Sequence, residues 1–226
     1  KGLITDIVCQ STDDYLVIPR SSSEGLTILS DAFKKKTDKV IGSSAKDDTR
    51  PILTGLLFSF KDGKLNLIAT DGFRLSVNSM SIPDKSLDKM VIVPTKSISE
   101  LLKVVSEIGV EKFSIEVDKQ AKQVIFGMKG VEMSSRILDG EFPPYQQIIP
   151  NTYTTKISLS KQQLTSAVKR ASLFAKDNAN VVRLKVEDRI FVSAENSQIG
   201  SNTTEVEAEV EGEKMVVAFN AKYLLD

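Results

Sequence analysis

Residues 52–80 read ILTGLLFSFKDGKLNLIATDGFRLSVNSM, and this stretch carries the clearest structural signal in the chain. Its first apolar run, Ile52–Phe60, predicts a β-strand that leads into Asp62-Gly63, a dipeptide typical of two-residue hairpin turns. Asp71-Gly72 predicts a second turn of the same type, and Phe73–Met80 predicts the strand that follows it. The stretch therefore predicts three antiparallel strands joined by tight turns.

A helix is predicted before these strands, and the same order of elements then recurs. Ser30–Ile41 has its apolar residues on one side at helical spacing. A second predicted helix, Ser97–Ile108, and a third that begins at Ser160 each follow a short strand and precede further strands. Ser97 and Ser160 both have Glu or Gln three residues later, which is the spacing of a capping box. The chain thus repeats a β-α-β-β-β unit.

Matches between individual residues of the copies support a duplication. Ala45-Lys46-Asp47 matches Ala175-Lys176-Asp177, and Met90-Val91-Ile92-Val93 matches Met215-Val216-Val217-Ala218. Chance similarity between common β-α-β-β-β units is the alternative. A duplication predicts an α+β fold in which two copies form one domain, with two helices side by side under two sheets related by a pseudo-twofold axis.

The repeats divide the chain into three parts. Residues 25–150 hold two copies and are predicted to form one complete domain, whereas residues 151–226 hold a third copy and the start of a fourth. Residues 1–24 contain an alternating run, Leu3–Val8, that predicts a strand, and Tyr15–Pro19 resembles the end of the complete domain. We therefore interpret the first part as the tail of a preceding domain and the last part as a partial domain.

The composition argues against most enzyme chemistry. The chain has 226 residues, no His and a single Cys, Cys9. Without His, catalysis of the Ser-His-Asp or Cys-His kind and most zinc sites are excluded. One Cys excludes a disulfide framework and is compatible with a reducing cytosol, and no apolar run is long enough to span a bilayer.

Carboxylates are the remaining candidates for acid-base chemistry. Asp47-Asp48 and Asp71 fall at predicted turns, where Asp is favoured for structural reasons. Glu205, Glu207 and Glu209 alternate with apolar residues, which is typical of a half-exposed strand with an acidic outer face. A carboxylate-dependent hydrolase, the enzymatic alternative, would need two such groups in one cleft. No Gly-rich phosphate loop or metal-ligand spacing occurs, so we predict no catalytic residue, metal or cofactor.

Positive charge is concentrated on the predicted helices, although 30 Lys+Arg balance 30 Asp+Glu overall. Equivalent polar faces of the repeated helices share Lys or Arg, and acidic residues lie on a strand. This segregation favours a surface that meets a polyanion without reading its sequence, and a protein-interaction scaffold with no nucleic-acid role is the alternative. The candidate DNA-binding residues are Lys35, Lys39, Lys96, Lys103, Lys161, Lys169, Arg170 and Lys176.

Two motifs connect this repeat to a known family. Arg50–Gly55 continues through a strand to Ala69–Leu75, which contains TDG-x-RL, and Asp139–Tyr145 reads DGEFPPY. With the repeat, these motifs resemble the bacterial DNA polymerase III beta subunit, the sliding clamp, over essentially the whole chain. The resemblance implies that the chain comprises the end of the first clamp domain, the middle domain and part of the third.

The resemblance implies a cytoplasmic, non-catalytic processivity factor. In that family, two subunits of three similar domains form a homodimeric ring around duplex DNA, with helices on the inner face and antiparallel sheets outside. Such a ring contacts DNA electrostatically and reads no bases, which permits sliding. It also tethers DNA polymerase, the clamp loader and repair proteins through short peptide motifs.

The resemblance further implies a pocket for partner peptides between the middle and last domains. Leu53, Leu75 and Ile148 would form apolar walls for aliphatic or aromatic anchors, and plain core packing is the alternative for each of them. The positions that match the family's pocket are Arg50, Leu53, Thr70, Gly72, Phe73, Arg74, Leu75, Pro143, Gln147, Ile148, Asn220 and Tyr223.

The polar rim of this pocket partly departs from the family pattern. Arg50 and Arg74 would pair with carbonyl or carboxylate groups of the peptide. Phe73 stands where the family commonly has His, and Gln147 stands where it commonly has Arg. The second difference removes one positive charge from the rim.

Overall fold

The structure, a computed structural model, describes residues 2–9, 11–12, 25–118 and 122–226. The chain divides into two compact units, Lys1–Pro143 and Pro144–Asp226. Within the described ranges, no helix is both long enough and apolar enough to cross a membrane.

The first unit contains two copies of the β-α-β-β-β order. Its strands are β1 (Leu26–Leu29), β2 (Gly55–Lys61), β3 (Lys64–Thr70), β4 (Leu75–Ser81), β5 (Lys89–Pro94), β6 (Lys112–Asp118), β7 (Gln123–Met128) and β8 (Val131–Arg136). Its helices are α1 (Ser30–Thr37) and α2 (Thr95–Ile108). The predicted order of elements is confirmed.

The first strand of each copy belongs to the sheet of the other copy. One four-stranded sheet has the order β1-β6-β7-β8 and the other has the order β4-β3-β2-β5, with all neighbours antiparallel. Exchanging β1–β4 with β5–β8 converts one order into the other, which is the pseudo-twofold relationship that the duplication predicts. Neither copy completes a sheet by itself.

A single core joins both sheets to both helices. Phe33 of α1 is fully buried and meets Phe58 of β2 and Phe113 of β6 edge-on, with ring centroids 5.9 and 5.2 Å apart. The apolar stripe of α2, which includes Ile98 and Leu101, is buried in the same cluster. Because the aromatic rings come from both sheets, their burial stabilises the sheets against each other.

The second unit holds a third copy and the first two elements of a fourth. Its elements are β9 (Thr155–Leu159), α3 (Lys161–Ala175), β10 (Val181–Val186), β11 (Ile190–Asn196), β12 (Gly200–Val206), β13 (Ala208–Gly212), β14 (Met215–Asn220) and α4 (Ala221–Leu225). Strand β14 of the fourth copy joins the sheet of the third, in the order β12-β11-β10-β14, while β9 pairs with β13. The first strand of the fourth copy is therefore exchanged as in the first unit, whereas β9 pairs with a strand of its own copy.

The two Asp-Gly turns differ, although the sequence predicts one type for both. Asp62 and Gly63 have φ values of 51° and 70°, as a two-residue hairpin of this type requires. Asp71-Gly72 instead lies in a longer loop, residues 71–74, because Thr70 pairs with Leu75. The predicted two-residue turn at Asp71-Gly72 is therefore wrong, and the strand after it begins two residues later than predicted.

One of the two predicted capping boxes is wrong. α2 begins at Thr95, so Ser97 lies inside the helix, where its hydroxyl accepts a hydrogen bond from Ser135 Oγ (2.7 Å). At α3, Ser160 is the N-cap, and its hydroxyl accepts a hydrogen bond from the Gln163 amide, as predicted. Capping therefore depends on where tertiary contacts place the first turn.

Three predictions concern the N-terminal side of the first unit. α1 ends at Thr37 rather than Ile41, because the chain turns there and buries Val40. Leu3–Val8 forms no strand in the structure, and its apolar side chains are exposed since no strand of the described residues pairs with it. Tyr15–Pro19 lies outside the described residues.

Candidate functional site

The loop between β3 and β4 brings several of the predicted peptide-binding residues together. Asp71 Oδ1 accepts hydrogen bonds from the backbone amides of Phe73 (2.9 Å) and Arg74 (3.0 Å). The buried Thr70 hydroxyl accepts from the Gly72 amide (3.0 Å) and donates to the Arg74 carbonyl (2.7 Å). Two short side chains thus satisfy most of the loop backbone, which fixes its conformation.

Two guanidinium groups contact this loop. Arg74 Nε lies 3.0 Å from Asp71 Oδ2, and Arg74 Nη2 donates to the Gly42 carbonyl. Arg50 Nη2 donates to the Asp71 carbonyl (2.7 Å). A Cβ atom on Gly72 would lie 2.5 Å from Arg50 Nη1 and would displace this guanidinium, and the φ of 89° at Gly72 favours glycine here.

The apolar members of the predicted pocket in the first unit differ in exposure. Leu53 is buried in the short 3₁₀ turn Pro51–Thr54, which precedes β2. Leu75 is half-buried at the start of β4, and Pro143 is half-buried at the end of the unit. The ring of Phe73 is 78% exposed. The hydrogen-bonded loop therefore presents one aromatic ring beside partly covered aliphatic side chains.

The remaining members of the predicted pocket lie in the second unit. Gln147 ends a short 3₁₀ turn and is exposed, as is Ile148 directly after it. Asn220 is the N-cap of α4, and its Oδ1 accepts from the Lys222 amide (2.9 Å). Tyr223 lies on α4 with its ring partly exposed.

Asp71 is the residue of this site that sequence reasoning missed. Its place in the sequence indicates only a turn and no part in the peptide surface. In the structure it contacts Phe73, Arg74 and Arg50, three of the predicted pocket residues. The usable signal was the spacing, because an Asp with an Arg three residues later can cap the loop and form an ion pair.

The predicted DNA-binding side chains are all exposed. All of them lie on a helix or next to one: Lys35 and Lys39 at α1, Lys96 and Lys103 on α2, and Lys161, Lys169, Arg170 and Lys176 at α3. Lys103 Nζ pairs with Glu100 (2.7 Å), and the hydrogen bond and charge of Glu100 raise the pKa of Lys103 above its usual value. Part of the charge of Lys103 is therefore already balanced on the helix surface.

Arg170 also has acidic neighbours. It lines a groove with Glu205 and Glu207, and its Nε lies 3.5 Å from the Thr204 hydroxyl on β12. Glu205 is itself paired with Arg189. Arg170 thus lies next to the acidic strand, although the sequence pattern predicts that the basic helix faces and the acidic strand are segregated.

Two of the candidate carboxylates, Asp47 and Asp71, have local structural partners. Asp47 accepts from the amide and hydroxyl of Thr49, and these hydrogen bonds lower the pKa of Asp47 below its usual value. Asp71 caps its own loop through the amides of Phe73 and Arg74. Among the described residues, no group of three His, Cys, Asp or Glu side chains is arranged to hold a metal ion.

Comparison with known proteins gives consistent matches to one family. Residues 27–144 match the sequence model of the DNA polymerase III beta subunit, central domain, and residues 146–226 match that of its C-terminal domain. The beta sliding clamp of Staphylococcus aureus is 32% identical over 221 residues, which is 95% of this chain and 57% of the relative. The chain therefore spans little more than half the length of this relative.

Solved structures agree with these matches. The DNA polymerase sliding clamp from Bacillus subtilis superposes with a TM-score of 0.88 at 29% identity, covering 96% of this chain and 58% of that one. The DNA polymerase III beta subunit from Thermotoga maritima gives a TM-score of 0.86 at 28% identity, with coverage of 95% and 58%. The predicted α+β clamp fold is confirmed, and the chain belongs to the DNA polymerase III beta subunit family.

Proposed function

We propose that this chain is part of a sliding clamp, a non-catalytic processivity factor that encircles duplex DNA in the cytoplasm. The carrying observation is the succession of two beta-subunit domains, central then C-terminal, over residues 27–144 and 146–226. In the proposal, complete subunits form a homodimeric ring. The ring tethers DNA polymerase, the clamp loader and repair proteins.

The distribution of charge supports a DNA-facing role for the helices. Lys35, Lys39 and Lys169 are exposed and have no carboxylate within ion-pair distance among the described residues. Lysines on flexible stems attract phosphates without fixing a register, which suits a ring that must slide. We propose the helix faces that carry them as the DNA-facing surface.

DNA binding by the chain tests this proposal. We expect weak binding to duplexes of unrelated sequence, with equal affinities that fall steeply as salt rises, because only a few phosphates are neutralised. Fluorescence anisotropy of labelled duplexes over a salt series measures both properties. Binding that selects one sequence and survives high salt would contradict a sliding clamp.

We also propose that the predicted pocket residues of both units take part in binding partner peptides. Leu75 from the central domain, with Ile148 and Tyr223 from the last domain, supplies apolar surface for a Leu or Phe anchor, whereas Leu53 is buried and leaves little surface for contact. The exposed ring of Phe73 and the exposed side chain of Ile148 support this role, since large apolar side chains left in water favour a partner.

A further inference from the structure

We propose that Asp71 controls charge recognition at the peptide surface. The Asp71 carboxylate pairs with Arg74, which keeps this guanidinium from binding the peptide. Arg50 then remains as the cation that binds a carboxylate of an extended partner peptide. This inference rests on the peptide-binding role proposed above. It assigns a function to a residue that the sequence analysis treats as part of a turn.

Arg74 is already committed within the protein. Its Nε pairs with Asp71 Oδ2 at 3.0 Å, its Nη2 donates to the Gly42 carbonyl, and the side chains of the pair are only 15% and 14% exposed. A peptide carboxylate would have to displace a partly desolvated, charge-assisted hydrogen bond to reach this guanidinium. Arg74 therefore serves as an internal support of the loop.

Arg50 has the opposite character. It is exposed, and its single hydrogen bond within the described residues uses Nη2 and ends on a neutral acceptor, the Asp71 carbonyl. No carboxylate lies within ion-pair distance of it in the same part of the chain. The guanidinium lies against Gly72, and the N–H groups of Nη1 and Nε make no hydrogen bond within the described residues. A planar guanidinium held in this way favours a carboxylate ligand.

A second version of the loop in the same chain separates capping from charge. Asn196, the last residue of β11 and the counterpart of Asp71 in the third copy, accepts from the amides of Gln198 (2.8 Å) and Ile199 (3.2 Å), just as Asp71 accepts from Phe73 and Arg74. Ile199 stands in the place of Arg74, and Asn196 Nδ2 donates to Asp177 Oδ2 (2.9 Å), so the oxygen of a neutral amide held in this way can cap the loop. The cap itself does not need the negative charge of Asp71, whereas the ion pair with Arg74 does.

Two labelled peptides test the inference on the whole chain. They share Leu and Phe anchors and differ by one residue beside the anchors, Glu in one and Gln in the other. We expect the unmodified protein to bind the Glu peptide about tenfold more tightly, the size of one charge-assisted hydrogen bond. Arg50→Gln should abolish this preference, and Arg74→Gln should leave it intact. Arg74→Lys serves as the second variant, should Arg74→Gln fail to fold.

The double variant gives the decisive readout. In Asp71→Asn the cap remains, as Asn196 demonstrates, but Arg74 loses the Asp71 carboxylate while it keeps its hydrogen bond to the Gly42 carbonyl. We expect the Glu preference to return when Arg50→Gln is combined with Asp71→Asn, which a merely structural role of Asp71 would not produce. Any one of three results overturns the inference. These are no Glu preference in the double variant, no Glu preference in Arg74→Gln, and no Glu preference in the unmodified protein. If neither peptide binds, the proposed peptide-binding role fails as well.

Discussion

The ring of Phe33 meets the ring of Phe113 edge-on, with centroids 5.2 Å apart, and so joins the helix of one repeat to a strand of the other. Phe58, which lies in the other sheet, contacts the same ring at 5.9 Å. Phe33 therefore lies where the two repeats share their core, and its removal affects both sheets together.

Phe33→Ala should destabilise the first unit by about 3–5 kcal/mol, because it removes a fully buried ring and leaves a cavity. Denaturant unfolding followed by circular dichroism measures the decrease in stability. Phe73→Ala is the matched control, since that ring is mostly exposed and its truncation should change stability little. Equal effects of the two variants would contradict the placement of Phe33 in the core.

Leu75→Ala should weaken binding of a peptide with Gln, Leu and Phe anchors by about 2 kcal/mol, the typical cost at a binding hot spot. The measurement is titration of the labelled peptide against this chain and against a version extended to a complete third domain. We expect the peptide to bind the extended protein more tightly. Val131→Ala is the control, because Val131 is an exposed apolar residue on β8 and its truncation should not change peptide binding. The pocket assignment is wrong if Leu75→Ala changes nothing or if extension does not strengthen binding.

Lys35→Gln combined with Lys39→Gln should lower affinity for duplex DNA equally for all sequences. The slope of log affinity against log salt should also become shallower by about 0.9 for each phosphate that these lysines no longer neutralise. Lys103→Gln should have a smaller effect than Lys35→Gln, because Glu100 already pairs with Lys103. Lys61→Gln with Lys64→Gln, at the hairpin between β2 and β3, is the control pair.

Tyr145 should titrate above the usual range of tyrosine. Burial raises the pKa of Tyr145, and a hydrogen bond with Gln146 offsets this only in part. Folding thus favours the neutral phenol, so the contribution of Tyr145 to stability is complete below the unfolded pKa and is lost as pH rises through the folded pKa. Ultraviolet titration of tyrosinate should show a late component that Tyr145→Phe removes and Tyr153→Phe retains. If Tyr153→Phe removes the late component instead, the component does not belong to Tyr145 and the prediction is wrong.

The hairpin at Asp62-Gly63 could be predicted because both of its unusual φ values are local properties of the two residues. The loop at Asp71 could not, since the Asp-Gly dipeptide does not show that Thr70 and Asp71 cap a longer loop or that Arg50 reaches the Asp71 carbonyl from another segment. The start of α2 was missed for the same reason, as the Ser97 hydroxyl is used by Ser135 on β8. Local sequence indicates elements well and their tertiary partners poorly.

The candidate site shows the same division. Composition and helical spacing identified exposed lysines such as Lys35 correctly as surface residues. They gave no indication that Arg170 lies beside Glu207 or that Arg74 is committed to Asp71. The neighbours of Arg170 are set by the fold, whereas the pair of Asp71 and Arg74 is local and is indicated by their spacing rather than by helical or strand periodicity.

The exchange of first strands between repeats has a consequence for synthesis on the ribosome. β1 leaves the tunnel long before its partner β6, and the sheet of β2–β4 is completed only by β5. A nascent chain that has released one repeat therefore exposes the edges of β1 and β2 without partners, a state prone to aggregation. In the first unit, therefore, only the pair of repeats gives every strand its partners.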